Sequence, residues 1–424
     1  MLGGKHTFSR WSFLFISVAA LLALLTLWSV STDSRKQPLP PLLSHGAAEW
    51  TYEYPRHSLN YGLTNDQCDA AFPGLFKEIE RSVAYWRKSG GIRPSNIELS
   101  WRESGVVRMM IYNGQLYVLE SKLADVPGAF HERTSGVLNT LNRAILSSPA
   151  PLPNVELSFV IDDIARLPEH TSHTILAFSR HASDPVGDRV WVMPDFSFWS
   201  WPGISGSWPS TQQEVIEREA TYADKIAQIV WRGALDMNYP VRGSLIKESQ
   251  GKPWSAIMTF NWSDPIDKRE KKISMADHCK YKFTAHTEGI SYSGRMKYLL
   301  NCHSLTFIHE LEWVQHYHHL LVPNGSDQNY VPMSRDWKEL PQRVEYYMAN
   351  THEAEKVADN AVKHFRERYL SPAAEACYWR KLVMGWANVS WVPELFDANG
   401  KTRGSSWEEY SVNMGEYPKE ERKD

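Results

Sequence analysis

Residues 278–304 read HCKYKFTAHTEGISYSGRMKYLLNCHS. A short aromatic and β-branched run, Tyr281–Thr284, has the make-up of a strand. The loop His286–Gly294 holds two glycines, and Arg295–Leu300 has the spacing of a helix. Strand, loop and helix start together offer unpaired backbone N–H groups and a positive dipole end to an anion. Ser291 and Ser293 add hydroxyl donors, and the planar Arg295 guanidinium matches a pair of phosphate oxygens. The stretch reads as a diphosphate cradle, although it follows neither the P-loop nor the GxGxxG pattern. A plain glycine loop before an amphipathic helix explains the same residues.

Outward from this stretch, strand and helix signals alternate. Thr64 or Asn65 caps a helix running to about Lys88. Ile97–Trp101 and Val106–Glu120 alternate like strands, and Asn113-Gly114 inside the second is a hairpin turn. Thr134–Leu146 reads as a helix. Val155–Ile161 is a nearly unbroken apolar run, as in a strand covered on both faces, and Thr174–Phe178 and Val190–Met193 are similar. Pro194–Ser210 interrupts the pattern with Phe196, Phe198, Trp199, Trp201 and Trp208 among Pro and Gly. A second alternation follows: a helix over Thr211–Ile226, strands at Gln228–Trp231 and Trp254–Phe260, then the opening stretch and the strand Leu305–Ile308. Helices Leu340–Met348, His352–Tyr369 and Ala373–Trp386 close it. Two consecutive α/β sets predict two Rossmann-like domains facing across a cleft.

The opening stretch also carries a family likeness. His278-Cys279-Lys280-Tyr281-Lys282, Gly289, Ser293, Arg295, Lys297 and Cys302 before Ser304-Leu305 resemble the catalytic domain of glycosyltransferase family 90. That family includes protein O-glucosyltransferases and fungal capsule-associated xylosyltransferases. Trp231-Arg232-Gly233 and Cys377-Tyr378-Trp379 extend the resemblance to roughly residues 150–390. It implies the two-domain GT-B fold, an inverting transfer from UDP-xylose or UDP-glucose, and a glycan or protein acceptor. The chain resembles a fungal-type, membrane-anchored member. The expected layout is a first domain over residues 49–209, a nucleotide-sugar domain over 210–370, and a helix and tail over 371–424 returning to the first domain.

Asp162-Asp163 stand at the C-terminal end of the Val155–Ile161 strand, the edge where ligands bind in open α/β sheets. Moving a sugar onto a hydroxyl needs a base. Adjacent residues of extended chain point opposite ways, so one of the pair faces the substrate. The resemblance puts the base at Asp163; both acids capping the next turn is the plainer alternative. It also implies diphosphate contacts for Arg232, beside Gly233, and for Arg295. Glu288, before Gly289, is placed to accept from ribose hydroxyls. Two guanidiniums and a helix start can stabilise a departing diphosphate, so no metal or other cofactor is expected. His303, His309, His316, His318 and His319 lack a zinc-ligand pattern, and with Tyr330-Val331-Pro332 read as a wall of the donor site.

The net charge of −3 gives no nucleic-acid footprint. The 18 tryptophans suit either a core or the flat faces that sugars stack on. Trp11–Ser31 is apolar and long enough to span a bilayer. Basic residues on its two flanks nearly tie, and the N-terminal amine tips the orientation, so an uncleaved anchor over 11–31 is favoured over a cleaved signal peptide, with a cytoplasmic tail over residues 1–10, a proline-stiffened stem over 32–48 and a lumenal remainder. This would be a single-pass type II membrane protein of the Golgi or ER. Asn261, Asn324 and Asn388 are N-x-S/T glycosylation acceptors. The four cysteines allow three pairings. The family likeness pairs Cys279 with Cys302, which leaves Cys68 with Cys377. A catalytically silent lectin-like or scaffold protein is the alternative to an enzyme.

Overall fold

A computed structural model gives the fold and describes residues 50–123 and 128–414. The chain is mixed α/β and holds two large sheets. In the first, β1 (Val106–Tyr112) pairs antiparallel with β2 (Gln115–Lys122) and with β3 (Val155–Val160). β4 (Ile175–Ala177) and β5 (Val190–Val192) then add in parallel, and Ser405–Ser406 borders β2. The β1–β2 turn follows its sequence. Asn113 has φ +49° and Gly114 φ +75°, the left-handed pair that matches the twist of the flanking strands. Every residue of β3 is buried, in keeping with its unbroken apolar run.

The second sheet is wholly parallel: β6 (Ile226–Gly233), β7 (Ser255–Thr259), β8 (Tyr281–His286), β9 (Leu305–His309) and β10 (Val331–Met333). Their spatial order is β7-β6-β8-β9-β10. The chain leaves β6 to one side, adds β7, then crosses back and adds β8 on the other side. That reversal opens a crevice between the C-terminal ends of β6 and β8, where ligands of such sheets bind.

Several expected elements differ. The helix from Thr64 to Lys88 is two helices, α1 (Asn65–Ala71) and α2 (Lys77–Lys88). Pro73 and Gly74 lie between them, and Gly74 takes φ +80°, which no helix holds. Ile97–Trp101 forms no strand. After α3 (Gly128–Leu146), the Thr211–Ile226 helix is instead α4 (Trp208–Arg218), started by Ser207 and Pro209, and Ile226 belongs to β6. α5 (Tyr239–Ser249) links β6 to β7. The Arg295–Leu300 helix is a single turn, Met296–Leu299, so it supplies no strong dipole to an anion. The last long helix, α6 (Pro372–Ala387), is almost wholly buried. Two disulfides are formed, Cys68–Cys377 between α1 and α6 and Cys279–Cys302 around the opening stretch.

The expected single-pass type II membrane placement, with its Golgi or ER address, is corrected here. Among the described residues no helix is long and apolar enough to cross a membrane. Residues 11–31, on which that expectation rested, lie outside the described residues, as do the tail and stem.

Candidate active site

The crevice between the β6 and β8 ends is built from the backbone outward. Trp231, two residues before the end of β6, donates its indole N–H to Thr287 Oγ1 at 3.0 Å and so ties the two strand ends together. Its ring folds back over Gly233. A Cβ there would sit 2.7 Å from Trp231 Cζ2, so the position admits only glycine without repacking. Arg242 on α5 donates Nε–H to the Glu288 carbonyl at 3.0 Å and Nη1–H to the Ala234 carbonyl at 2.6 Å. Asn238 Nδ2 donates to the Gly289 carbonyl at 3.2 Å. The loop after β8 is thus pinned to the loop after β6.

Arg295 enters this frame differently. Its guanidinium carbon lies 5.6 Å from the centroid of the Trp231 ring, and that of Arg242 lies 5.7 Å from it. Among the described residues, Arg295 Nε and Nη1 are buried without a hydrogen-bond partner. Burial, with Arg242 nearby, pushes this guanidinium down to about 9. Unmatched donors on a buried cation are costly, and acceptor oxygens at this point would relieve that cost. The imidazole of His286, at the end of β8, is also buried with neither nitrogen partnered among the described residues, and burial holds it neutral. His278 donates Nδ1–H to the Ser274 carbonyl at 2.9 Å; its Nε2 has no partner among the described residues, and burial followed by Arg295 lowers it to about 3. Arg295, His278, Arg232 and Ser293 line one small cavity with Trp201 and Trp262. A roomier cleft of about 620 Å³ lies against Leu59, Gln212 and Ile216. Its Arg366 is already held by Glu219 and the Asn301 carbonyl, so it offers no comparable demand for an anion.

The remaining expected residues fall in varied places. Arg232 is committed to backbone: Nε donates to the Lys271 carbonyl at 3.0 Å, and Nη1 to the carbonyls of Trp231 and Ala256. Glu288 Oε1 accepts the N–H groups of Glu312 at 2.9 Å and Trp313 at 2.8 Å, and Oε2 faces Arg335 at 3.1 Å. Burial nevertheless leaves its carboxyl raised above the ordinary value. Gly289 N–H donates to the Ser291 carbonyl, tightening the turn. His309 accepts from the Glu288 N–H, His318 contacts the Trp313 carbonyl and His319 the Gly74 carbonyl. Asn261, Asn324 and Asn388 are exposed.

Asp162 and Asp163, in the bend after β3, take different partners. Asp162 pairs with Arg102 at 2.8 Å and with Arg166. Asp163 meets Arg133 instead, with Oδ1 3.0 Å from Nη1, and its side chain stays 38% exposed. Its main-chain carbonyl accepts the Ser291 hydroxyl at 2.7 Å. The strand end of the first sheet therefore touches the loop that leads to Arg295. Behind this contact a buried ion pair joins the same two regions: Lys297 Nζ lies 3.0 Å from Asp195 Oδ1. Sequence reasoning missed Arg133, Asp195 and Arg242. Each is an ordinary charged residue in sequence, and only long-range packing gives it a partner.

The family model described as Glycosyl transferase family 90 matches residues 64–393. The chain belongs to glycosyl transferase family 90. Among similar family members, Protein O-glucosyltransferase 1 of Rattus norvegicus is 28% identical over 273 residues, 60% of this chain and 66% of the rat protein. The chain thus spans just under two thirds of that relative. Protein O-glucosyltransferase 1 of Bos taurus is 27% identical over 380 residues, 84% of this chain and 91% of its own. O-glucosyltransferase rumi of Drosophila melanogaster is 27% identical over 325 residues, 68% of this chain and 74% of the fly protein.

Proposed function

We propose that this chain is an inverting glycosyltransferase that moves glucose or xylose from UDP-glucose or UDP-xylose to a hydroxyl of a protein or glycan acceptor. In this reading its two α/β halves work as a GT-B pair. Residues 49–209 carry the base, residues 210–370 hold the nucleotide sugar, and residues 371–424 return to the first half. The observation that carries it is the buried, unmatched Arg295 guanidinium at the β6–β8 crevice, whose loop hydrogen-bonds the Asp163 backbone. The names of the relatives, O-glucosyltransferases, support a sugar transfer to oxygen.

The step is a single in-line displacement. The Asp163 carboxylate takes the proton of the acceptor hydroxyl as its oxygen attacks the anomeric carbon. The bond from that carbon to the diphosphate oxygen breaks, and the electron pair leaves with UDP. Arg295 donates to the charge that develops there, in a dry site where such donors count most. Arg133 holds one carboxylate oxygen of Asp163 and so orients the other. Arg232, Gly233, Glu288, Gly289 and Ser293 shape the donor side. Positive charge from the protein serves the leaving group in place of a metal, so a chelator leaves turnover unchanged.

The test is a thermal-shift and calorimetric series with UDP, GDP and UDP-sugars, followed by turnover of the preferred donor. UDP and one UDP-sugar bind, and Asp163→Asn abolishes transfer while UDP affinity stays near wild type. Undiminished transfer by that variant refutes the base; no binding of any nucleotide refutes the function.

A further inference from the structure

Ser291 was expected to bind the donor. A serine hydroxyl has one proton to give. Here Oγ–H donates to the main-chain oxygen of Asp163 at 2.7 Å, and the residue is 1% exposed. The bond runs across 128 positions of sequence, from the loop after β8 to the end of β3. Phosphate oxygens need donors, and this hydroxyl has none left for them.

The rest of the turn explains what the bond transmits. Gly289 N–H donates to the Ser291 carbonyl at 3.0 Å, which makes residues 289–291 a tight unit. That unit is gripped on the crevice side by Asn238 on the Gly289 carbonyl and Arg242 on the Glu288 carbonyl. A few residues on it becomes the Arg295 turn. Tyr292 is buried next, its ring 6.1 Å from Phe178 of the first half. On the other side, Arg133 holds the Asp163 carboxylate, its one side-chain ion pair among the described residues. Main-chain position from Ser291 and side-chain direction from Arg133 together fix where the carboxylate points.

We propose that Ser291 is a positioning residue: its hydroxyl registers the donor-side loop on the backbone of Asp163, so that the base is aligned with the bound sugar. This rests on the glycosyltransferase reading above. It separates two roles that the sequence joined. Arg295 determines how tightly the diphosphate is held, and Ser291 how fast the held sugar reacts.

The experiment compares wild type, Ser291→Ala and Ser291→Thr for UDP affinity by calorimetry and for kcat and donor KM with the preferred UDP-sugar. Removing one oriented hydrogen bond should lower kcat about tenfold. UDP affinity and donor KM should stay within about twofold, because Ser291 gives the diphosphate no hydrogen bond. Threonine keeps the hydroxyl and should restore at least half of the wild-type kcat. An alanine variant with weakened UDP binding, or with unchanged kcat, overturns the proposal. If alanine does not fold, Ser291→Cys, of similar size and a weak donor, is read by the same criteria. Inactive wild type sinks the function itself and the proposal with it, whereas active wild type with an indifferent Ser291 sinks the proposal alone.

Discussion

Replacing Lys297 with methionine tests the junction behind the site. Lys297 and Asp195 are almost fully buried, with side chains 0% and 1% exposed. Nζ lies 3.0 Å from Asp195 Oδ1 and 3.3 Å from Oδ2, and also meets Ser197 Oγ. The Ser197 N–H at 2.9 Å and Gln315 Nε2 at 3.1 Å complete the carboxylate's shell. Methionine fills the space and keeps contact with the Phe198 and Tyr298 rings, which now lie 4.5 and 4.9 Å from the ammonium. What it removes is the countercharge. Leaving a buried carboxylate alone costs about 3–5 kcal/mol. In the wild type, burial pushes the Asp195 carboxyl up, while Lys297 and then Ser197 bring it below its usual value. Without Lys297 burial wins and the folded-state value rises. A group raised on folding contributes its stability at low pH and loses it as pH increases. The deficit of the variant is therefore larger at pH 8 than at pH 5. Asp195→Asn in the same chain removes the stranded charge and keeps one acceptor oxygen for Ser197, at the loss of the Gln315 bond, so the double variant is more stable than Lys297→Met alone. Urea unfolding followed by tryptophan fluorescence, at both pH values without reductant, measures all of this. A loss under about 1 kcal/mol, or a double variant no better than the single, refutes the reasoning.

Three further outcomes follow from the geometry. Arg295→Met weakens UDP binding by about 100-fold, the worth of two or so charge-assisted hydrogen bonds, and Arg295→Lys recovers little because it lacks the planar fork; calorimetry with UDP checks both. Gly233→Ala drives a methyl into Trp231 and costs about 1–3 kcal/mol of stability by urea unfolding, with weaker UDP binding because the crevice wall shifts. Glu375 is buried against Arg143 at 2.8 Å, and burial raises its carboxyl to about 7. Its contribution to stability is full below pH 4.5 and falls as pH rises towards 7, by up to about 1.4 kcal/mol per pH unit; Glu375→Gln flattens that part of the stability profile.

Much of the architecture was legible because it rests on local pattern. The apolar run of β3, the Asn113-Gly114 turn and the strand at Tyr281 all carry period or turn chemistry in their own residues. Breaks were harder to place. Pro73-Gly74 splits one apparent helix, and the Arg295 segment has the spacing of a helix yet makes only one turn. The site was half legible. Arg295 stands in the crevice, but Arg232, drawn beside it, has its Nε and Nη1 donors on backbone carbonyls, and Glu288 holds two N–H groups of a neighbouring loop. Apart from the neighbouring Trp231 carbonyl, the partners of these two residues come from more than 20 positions away, where no sequence period reaches.

The Cys68–Cys377 bond has a practical effect on any broken form of this protein. It clasps residues near the start and end of the described fold, so a protease cutting anywhere in the roughly 300 residues between them opens a ring without freeing a piece. Nicked chains should migrate as a single species until a thiol is added, and then fall into two bands. Samples that look intact on a non-reducing gel can therefore already be cleaved.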